Sequence, residues 1–277
     1  MNTSLTASIE PQWRTIDGVK IRYADSGGPP GPVVLLTSPW PESLYAFAPM
    51  WATLAHEARL FAVDLPGFGK SERRDDLLSP RAMGAFLVQL IAEADLRRPY
   101  IVAPDVGTSA ALFAAAARPE RFAGVIVGSG GAAVPLELGE PLKSRVLDPD
   151  LEKYRRMDGR DSVAAAMDNN AAELPDEIRA DYLDSYDGDR YVESMRYVRR
   201  YPDELPELAE LLPQITTPVT LVNGRHDGVV PLANVEFLDA RLPHSRIAIL
   251  DTGHFAWEEA SAEYASIILD AIAGDGS

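Results

Sequence analysis

The stretch that decides the fold is YIVAPDVG at residues 100–107, an apolar run that passes through Asp105 into the alanine-rich residues 110–117. The run has the composition of a buried strand, and the alanine-rich part has that of a helix. A sharp strand-to-helix turn needs small residues two positions before and after its apex, because those positions pack against neighbouring backbone. Ala103 and Gly107 meet this need, so the sequence predicts that Asp105 is presented at the end of a strand.

The rest of the chain alternates between apolar runs bounded by Gly, Pro and Asp and longer helical stretches, which predicts an α/β fold with a mostly parallel central sheet flanked by helices. The alternation stops after Gly131, and residues 135–212 instead carry leucines and six tyrosines at helical spacing between prolines. We therefore expect a core domain built from residues 1–134 and 213–277, with residues 135–212 inserted as a helical cap. The predicted strands are residues 33–36, 60–63, 100–103, 125–127, 219–222 and 247–250, and the clearest predicted helices are 81–94 and 110–117.

Composition restricts the partners of the chain. Its 26 Lys and Arg against 42 Asp and Glu give a formal charge of −16, which repels nucleic acid and anionic membranes. The absence of cysteine excludes disulfides, thiolate metal sites and a cysteine nucleophile. No apolar stretch is long enough to span a bilayer, and the first residues lack the pattern of a signal peptide. We expect a cytoplasmic protein that acts on a small apolar or moderately polar molecule, and nothing in the sequence indicates an oligomer.

Three segments resemble the epoxide hydrolase and haloalkane dehalogenase branch of the α/β-hydrolase superfamily. VAPDVGTSAALFAAAARPERF at residues 102–122 is similar to the elbow and following helix of these enzymes. DLPGFGKS at residues 64–71 resembles their Gly-x-Gly-x-Ser turn, and residues 23–36 resemble their early hairpin. The resemblance implies the α/β-hydrolase fold, an aspartate nucleophile at Asp105, and no metal or organic cofactor.

Two alternatives for the nucleophile are weighed against this prediction. Ser109 also has small neighbours, but it would lie a turn into the helix with its hydroxyl away from the strand end. Aspartate is also a common N-cap residue, so Asp105 could simply cap the predicted helix and have no catalytic role. The N-cap account leaves the predicted partners of Asp105 unexplained.

A carboxylate that attacks carbon forms an ester, and its hydrolysis needs a base that activates water. Of the four histidines, His254 directly follows the last predicted strand and stands in the order nucleophile, acid, histidine that this fold uses. His226, in the loop after strand 219–222, remains an alternative, whereas His56 and His244 occupy predicted surface positions. Asp227 lies in the same loop as His226 and is the expected acid partner of His254.

The tetrahedral oxyanion formed during ester hydrolysis needs N–H donors held in place. The backbone of Val106, next to Asp105, is expected to supply one. The second is expected from SPWP at residues 38–41, where the relatives carry His-Gly-x-Pro; Trp40 takes the donor position between two prolines, which have no N–H. The indole N–H of Trp40 is a further donor for a leaving halide or a substrate oxygen.

The residues around Asp105 favour an epoxide as the substrate. Val106 stands where many dehalogenases carry a halide-binding tryptophan, and fluoroacetate dehalogenases carry arginines at and shortly beyond that position. Epoxide opening needs an acid, which in the relatives is a cap tyrosine. MRYVRRYP at residues 195–202 resembles that cap segment, so Tyr197 and Tyr201 are the expected acids on one helix face. Packing between cap and core would explain each tyrosine equally well.

The leading hypothesis is therefore an epoxide hydrolase that yields a vicinal diol. A haloalkane dehalogenase working through the same ester is the first alternative. A specialised cofactor-free hydrolase or lyase of a biosynthetic pathway is another, because the SPWP loop departs from the common families. A ligand-binding protein on the same scaffold is a third, although the intact set of nucleophile, acid and base argues against it.

Overall fold

An eight-stranded sheet runs through the computed structural model, which describes residues 8–27 and 31–274. The strands lie in the order β1-β2-β4-β3-β5-β6-β7-β8; β2 is antiparallel to both of its neighbours, and all pairs from β4 to β8 are parallel. The predicted α/β fold with a mostly parallel sheet is confirmed. The strands are β1 (Gln12–Ile16), β2 (Val19–Asp25), β3 (Val33–Thr37), β4 (Arg59–Val63), β5 (Tyr100–Pro104), β6 (Gly124–Gly128), β7 (Val219–Gly224) and β8 (Ser245–Leu250).

Helices cover both faces of the sheet, and successive side chains of each central strand point to opposite faces. The helices are α1 (Ala48–Glu57), α2 (Pro80–Glu93), α3 (Val106–Ala117), α4 (Leu142–Leu147), α5 (Gly159–Met167), α6 (Asp176–Ser185), α7 (Arg190–Val198), α8 (Tyr201–Leu211), α9 (Ala233–Asp239), α10 (Ala256–Glu259) and α11 (Ser261–Ala273), with 3₁₀ turns at Leu44–Phe47, Asp75–Leu77, Pro119–Arg121, Glu152–Arg156 and Leu212–Gln214. On β3, Leu35 packs into the hydrophobic cluster that holds α2, α3 and α9, while Val34 and Leu36 pack into the cluster that holds α1 and α11. This burial on both faces is why the central strands consist of continuous apolar runs.

The segment between β6 and β7 that we call the cap (residues 135–212) contains α4 to α8 and no strand. One buried ion-pair network ties it to the core. Asp181 on α6 accepts two hydrogen bonds from the Arg22 guanidinium, at 3.0 and 2.9 Å, and further bonds from the Ser43 hydroxyl at 2.7 Å and the Lys70 ammonium at 2.6 Å. The six cap tyrosines are all buried, which agrees with a packed segment and not with a solvated linker.

The sequence MRYVRRYP does not form the single helix that we predicted. Helix α7 ends at Val198 and α8 begins at Tyr201, so Tyr197 and Tyr201 lie on different helices. Pro202 explains the break, because it has no N–H for the carbonyl four residues earlier and suits the first turn of a new helix. The two tyrosine rings meet edge-on with centroids 6.1 Å apart.

None of the helices within residues 8–27 and 31–274 combines the length and the apolar character that a bilayer crossing requires. The expectation about a signal peptide concerns the first residues of the chain, and residues 1–7 lie outside the described part.

Candidate active site

Asp105 stands at a strained turn between β5 and α3, with φ 52° and ψ −122°. A residue other than glycine in this region costs about 1–3 kcal/mol, so the surrounding structure must hold it there. The neighbours are small for steric reasons: a Cβ on Gly107 would lie 2.5 Å from the Thr37 hydroxyl, and one on Gly130 would lie 2.2 Å from the Asp105 carbonyl oxygen. The Asp105 side chain makes no capping hydrogen bond to α3, so the N-cap account does not describe it.

The two oxygens of the Asp105 carboxylate have different surroundings. Oδ2 accepts the backbone N–H of Trp40 at 2.7 Å, and the backbone N–H of the adjacent Val106 lowers the pKa of the carboxyl group. Oδ1 faces His254 Nε2 at 3.8 Å, which is beyond hydrogen-bond distance. The structure thus places the backbone N–H of Trp40, one of the two residues expected as oxyanion donors, on Oδ2, and His254 makes no hydrogen bond to Oδ1.

Burial raises the pKa of Asp105 to about 6, against the lowering effects of His254 and of the N–H groups of Trp40 and Val106. The position at the start of α3, which by itself favours the ionised form, is therefore outweighed by desolvation. Asp105 is mainly ionised at neutral pH and becomes protonated as the pH falls below about 6.

His254 and Asp227 meet at the ends of β8 and β7. His254 Nδ1 lies 2.9 Å from Asp227 Oδ2, while Asp227 Oδ1 accepts the backbone N–H groups of Val229 at 2.9 Å and Val230 at 2.7 Å. Burial lowers the pKa of His254, but the charge and hydrogen bond of Asp227 together with the charges of Asp105 and Glu259 raise it more, so it lies above its usual value. With its Nδ1 proton donated to Asp227, the ring presents Nε2 as the base.

The alternative residues are placed less favourably. The His226 side chain is 66% exposed and pairs with Asp251 at 3.0 Å, although it reaches the rim of the cavity described next. Ser109 is buried inside α3 and lies 3.5 Å from the Tyr197 hydroxyl, away from that cavity. Neither residue contacts the Asp105 carboxylate in a way that would let it replace Asp105 or His254.

A cavity of about 530 Å³ opens above Asp105, a size that suits a small organic substrate. Within the described ranges, no cluster of three His, Asp or Glu side chains forms a site for a metal ion. The walls combine apolar and aromatic side chains with seven polar or charged ones besides the tyrosine. They comprise Trp40, Pro41, Asp105, Glu140, Pro141, Leu142, Arg145, Ser162, Ala165, Ala166, Asn169, Tyr191, His226, Gly228, Val229, Gly253, His254 and Phe255.

Neither of the tyrosines that we expected as acids lines this cavity. The Tyr197 hydroxyl donates to the Val106 carbonyl at 2.6 Å, so its proton is used to join α7 to α3. Tyr201 is fully buried with its ring against Gly131, where a Cβ would lie 2.6 Å from it. The structure therefore does not bring Tyr197 and Tyr201, the expected acids, to the cavity, because the hydroxyl of Tyr197 is bound to the Val106 carbonyl and the ring of Tyr201 packs against Gly131.

Tyr191, on α7, is the cap tyrosine that lines the cavity. Its ring stacks on Trp40 with centroids 5.1 Å apart and planes 23° apart. Its hydroxyl accepts a hydrogen bond from Arg145 at 2.7 Å, and within the described ranges it donates to no protein group. Burial raises the pKa of Tyr191, while the Arg145 charge and hydrogen bond lower it again. The phenol is therefore neutral at physiological pH, with its proton free for a ligand and a cation beside its oxygen.

The side chain of Trp40 supplies another donor. Trp40 lines the cavity, and its indole Nε1 is buried without a partner in the described part of the protein. Buried N–H groups are rarely left unpaired, so an unpaired one at a cavity wall is typical of a site that binds an acceptor. The sequence suggested this donor, but it gave no local signal for Arg145, which lies 46 positions from Tyr191.

Solved structures and curated sequences agree with this architecture. The structure superposes on Cfl2 from Burkholderia cenocepacia with a TM-score of 0.82, at 23% identity and over 98% of each chain. It superposes on the epoxide hydrolase CorEH with a TM-score of 0.80, at 18% identity, over 96% of this chain and 99% of the other. At these identities the likeness shows the fold alone.

Among curated proteins, a 2-hydroxy-6-oxononadienedioate/2-hydroxy-6-oxononatrienedioate hydrolase from Cupriavidus pinatubonensis is 27% identical over 224 residues, which are 74% of this chain and 73% of the relative. A second hydrolase of that name, from Pseudomonas putida, is 25% identical and covers 91% of both chains. The model of the alpha/beta hydrolase fold family matches residues 32–261, which span the sheet from near the start of β3 through the His254 loop. The chain therefore belongs to the α/β-hydrolase fold family.

Proposed function

We propose that the protein is a hydrolase that opens an epoxide to a vicinal diol through a covalent ester on Asp105. The observation that carries the proposal is the division of the Asp105 carboxylate, with Oδ2 held by the Trp40 N–H at 2.7 Å and Oδ1 facing His254 across 3.8 Å. A carboxylate in this position is suited to attack on a saturated carbon, since the resulting ester already has its carbonyl oxygen among N–H donors.

In the first step, Oδ1 attacks a ring carbon of the epoxide and the carbon–oxygen bond of the ring breaks. The departing oxygen takes the proton of the Tyr191 hydroxyl. Arg145, which donates to the Tyr191 oxygen at 2.7 Å, stabilises the phenolate that remains. The unpaired indole N–H of Trp40 is a further donor for the same oxygen. The product is a hydroxyalkyl ester of Asp105.

In the second step, His254 Nε2 takes a proton from a water molecule, and the hydroxide attacks the carboxyl carbon of Asp105. The negative charge develops on Oδ2, where the N–H groups of Trp40 and Val106 stabilise it. The intermediate collapses to the free Asp105 carboxylate and the diol, and the proton on His254 returns to the Tyr191 phenolate through solvent. The 3.8 Å gap supports this role, because a histidine that is not hydrogen-bonded to the nucleophile can activate water instead.

Haloalkane dehalogenation is the second candidate, and the unpaired Trp40 indole N–H favours it. A halide leaves without a proton, so that reaction would need the Asp105 ester and a halide donor but not the Tyr191 acid. The names of the curated relatives suggest a third substrate, a 2-hydroxy-6-oxo-dienedioate, for which attack occurs at a carbonyl carbon. Attack by the Asp105 carboxylate there, followed by cleavage of the carbon–carbon bond, would leave a mixed anhydride on Asp105 in place of an alkyl ester.

Trapping the ester tests the proposal. In His254→Gln the first step proceeds and the second does not, so incubation with an epoxide panel should increase the mass of the intact protein by one whole epoxide. A haloalkane would instead add its mass less that of the hydrogen halide. The matched control His226→Gln removes the other histidine at the cavity and should turn over without accumulating an adduct, and Asp105→Asn should form none.

The other outcomes separate the alternatives. Adducts from haloalkanes alone would replace the epoxide proposal with dehalogenation. Turnover of a 2-hydroxy-6-oxo-dienedioate without any alkyl adduct would replace it with carbon–carbon bond hydrolysis. Saturable binding without turnover of any panel member would indicate a ligand-binding protein on this scaffold.

A further inference from the structure

Two buried carboxyl groups, Glu42 and Glu258, lie behind the active site and outside the cavity wall. Glu42 follows the oxyanion donor Trp40 by two residues, and Glu258 follows His254 by four, on α10. Glu42 is 2% exposed and Glu258 is 5% exposed. The mechanism proposed above uses neither group, yet each is attached to a segment that carries part of it.

The hydrogen-bond partners of the two carboxyl groups are unequal. Glu258 accepts the Tyr182 hydroxyl at 2.7 Å on one oxygen and the Asn170 amide on the other, and both donors belong to the cap. Glu42 accepts the Trp257 indole N–H at 2.8 Å on Oε2. Its Oε1 is buried and meets no N–H or O–H donor in the described ranges. An ionised Glu42 would therefore carry an uncompensated lone-pair oxygen in the interior.

Glu42 and Glu258 are close neighbours, since the indole that Glu42 binds belongs to Trp257, the residue before Glu258, and each carboxyl group acts directly on the pKa of the other. Two neighbouring buried carboxylates cannot both remain ionised without a large repulsion. The charged groups that act most strongly on the pair are also acidic, Asp105 on Glu42 and Glu259 on Glu258. Burial and the neighbouring carboxylate raise the pKa of Glu42 well above its usual value, and burial raises that of Glu258.

The other titratable groups that face the pair do not remove this need for a proton. Tyr182 is neutral, because burial and the charge of Glu258 raise its pKa well above its usual value. The ring of His254 lies against that of Trp257, the donor to Glu42, with centroids 5.7 Å apart. One shared proton satisfies the pair, and Glu42 is its holder because the two oxygens of Glu258 already have donors.

We propose that Glu42 is held as a neutral carboxylic acid that donates its proton to the Glu258 carboxylate, and that this bond positions the loop carrying Trp40 against the His254 loop and the cap. The backbone of the Trp40 loop has a second tie to the cap, since the Tyr186 hydroxyl donates to the Glu42 carbonyl at 3.2 Å. Both glutamates are positioning residues. Loss of the shared proton at alkaline pH leaves two adjacent anions. Their repulsion would move the Trp40 loop and draw the backbone N–H of Trp40 away from Asp105.

Infrared spectroscopy of the unmodified protein tests the proposal directly. At about pH 8, Asp105 and Asp64, whose pKa values are raised to about 6, are ionised. The carbonyl band of a protonated carboxylic acid should nevertheless persist there. It should disappear in Glu42→Gln and remain in Glu263→Gln, a control at an exposed position on α11. Absence of the band from the unmodified protein at this pH, or its survival in Glu42→Gln, would overturn the proposal.

The pH dependence of thermal unfolding gives a second readout. An acid whose pKa is raised by folding stabilises the protein fully below its unfolded-state pKa, and this stability is lost as the pH rises toward the folded-state value. The thermal unfolding midpoint of Glu42→Gln, relative to that of the unmodified protein, should therefore increase as the pH rises. The midpoint of Glu263→Gln should change with pH as that of the unmodified protein does. The side-chain amide that Glu42→Gln introduces can still donate to Glu258, so this variant should also keep its rate of ester formation at alkaline pH. If the unfolding midpoints of Glu42→Gln and the unmodified protein changed equally with pH, the proposal would be contradicted.

Discussion

Replacing Tyr191 with phenylalanine separates the two halves of the proposed site chemistry. Tyr191→Phe keeps the ring that stacks on Trp40 at 5.1 Å and removes only the hydroxyl, which accepts from Arg145 and has no acceptor of its own in the described ranges. Substrate binding to the cavity wall should therefore change little. The opening of an epoxide loses its acid, whereas the displacement of a primary halide never needed one.

The size of the effect follows from the role. General acid catalysis contributes about 10²–10⁴-fold, which corresponds to about 3–5 kcal/mol of transition-state free energy. The variant loses one hydrogen bond to the half-buried Arg145, and water can replace it, so the free energy of unfolding should fall by about 1 kcal/mol or less. Activity should fall far more than stability.

The assay is single-turnover formation of the Asp105 ester, followed by the mass of the intact protein in a His254→Gln background. Tyr191→Phe should slow the reaction with an epoxide by at least about a hundredfold and leave the reaction with a primary alkyl halide, if one occurs, near its original rate. Tyr201→Phe is the matched control, because Tyr201 is equally buried but lies outside the cavity. Unchanged epoxide opening in Tyr191→Phe, or a loss confined to Tyr201→Phe, would refute the assignment.

Three other predictions concern the nucleophile, its turn and the cap. Because a protonated carboxyl group is not a nucleophile, the rate of ester formation should fall by about tenfold per pH unit below the Asp105 pKa of about 6. The pH profile of kcat/KM measures this, and a rate that stays constant down to about pH 4 would contradict the prediction. Gly130→Ala would place a Cβ 2.2 Å from the Asp105 carbonyl oxygen and should lower the free energy of unfolding by about 1–3 kcal/mol in urea titrations, whereas Gly31→Ala, with no atom within 4 Å, should be close to neutral. Asp181→Asn removes the carboxylate that joins Arg22, Ser43 and Lys70, and should lower the free energy of unfolding by about 3 kcal/mol in the same titration. Asp184→Asn, on the exposed side of α6, should lower it by less than about 1 kcal/mol. Equal losses would show that the network does not anchor the cap.

Sequence predicted the sheet and the arrangement around Asp105 because both depend on local chemistry. Buried parallel strands require continuous apolar runs, and the observed β3 to β8 contain the predicted runs with ends shifted by at most a few residues. The turn at Asp105 needs small residues at fixed offsets, which can be recognised in YIVAPDVG. The residues after β7 and β8 meet at one edge of the sheet by topology, so Asp227 and His254 could be paired without knowing the side-chain positions.

The cap was predicted less well, because its contacts depend on how helices pack. Tyr191, Tyr197 and Tyr201 look alike in the sequence, and only the packing of α7 and α8 decides which of the three side chains lines the cavity. No period or spacing relates Arg145 to Tyr191. Glu258 is equally hidden, since its partners Tyr182 and Asn170 come from a segment far away in the chain.

The supply of hydrogen-bond donors around Asp105 explains how so acidic a chain keeps this buried carboxylate, the nucleophile that we propose, ionised. Asp227 receives two backbone N–H groups and His254, Asp105 receives the N–H groups of Trp40 and Val106, and Glu258 receives two donors from the cap. Each carboxylate that must carry charge thus has at least two donors. Glu42 has one indole N–H, and a proton is the remaining way to satisfy its second oxygen. A neutral Glu42 also spares Asp105 a further negative charge nearby, which would raise the pKa of the nucleophile beyond about 6 and reduce the ionised fraction at neutral pH.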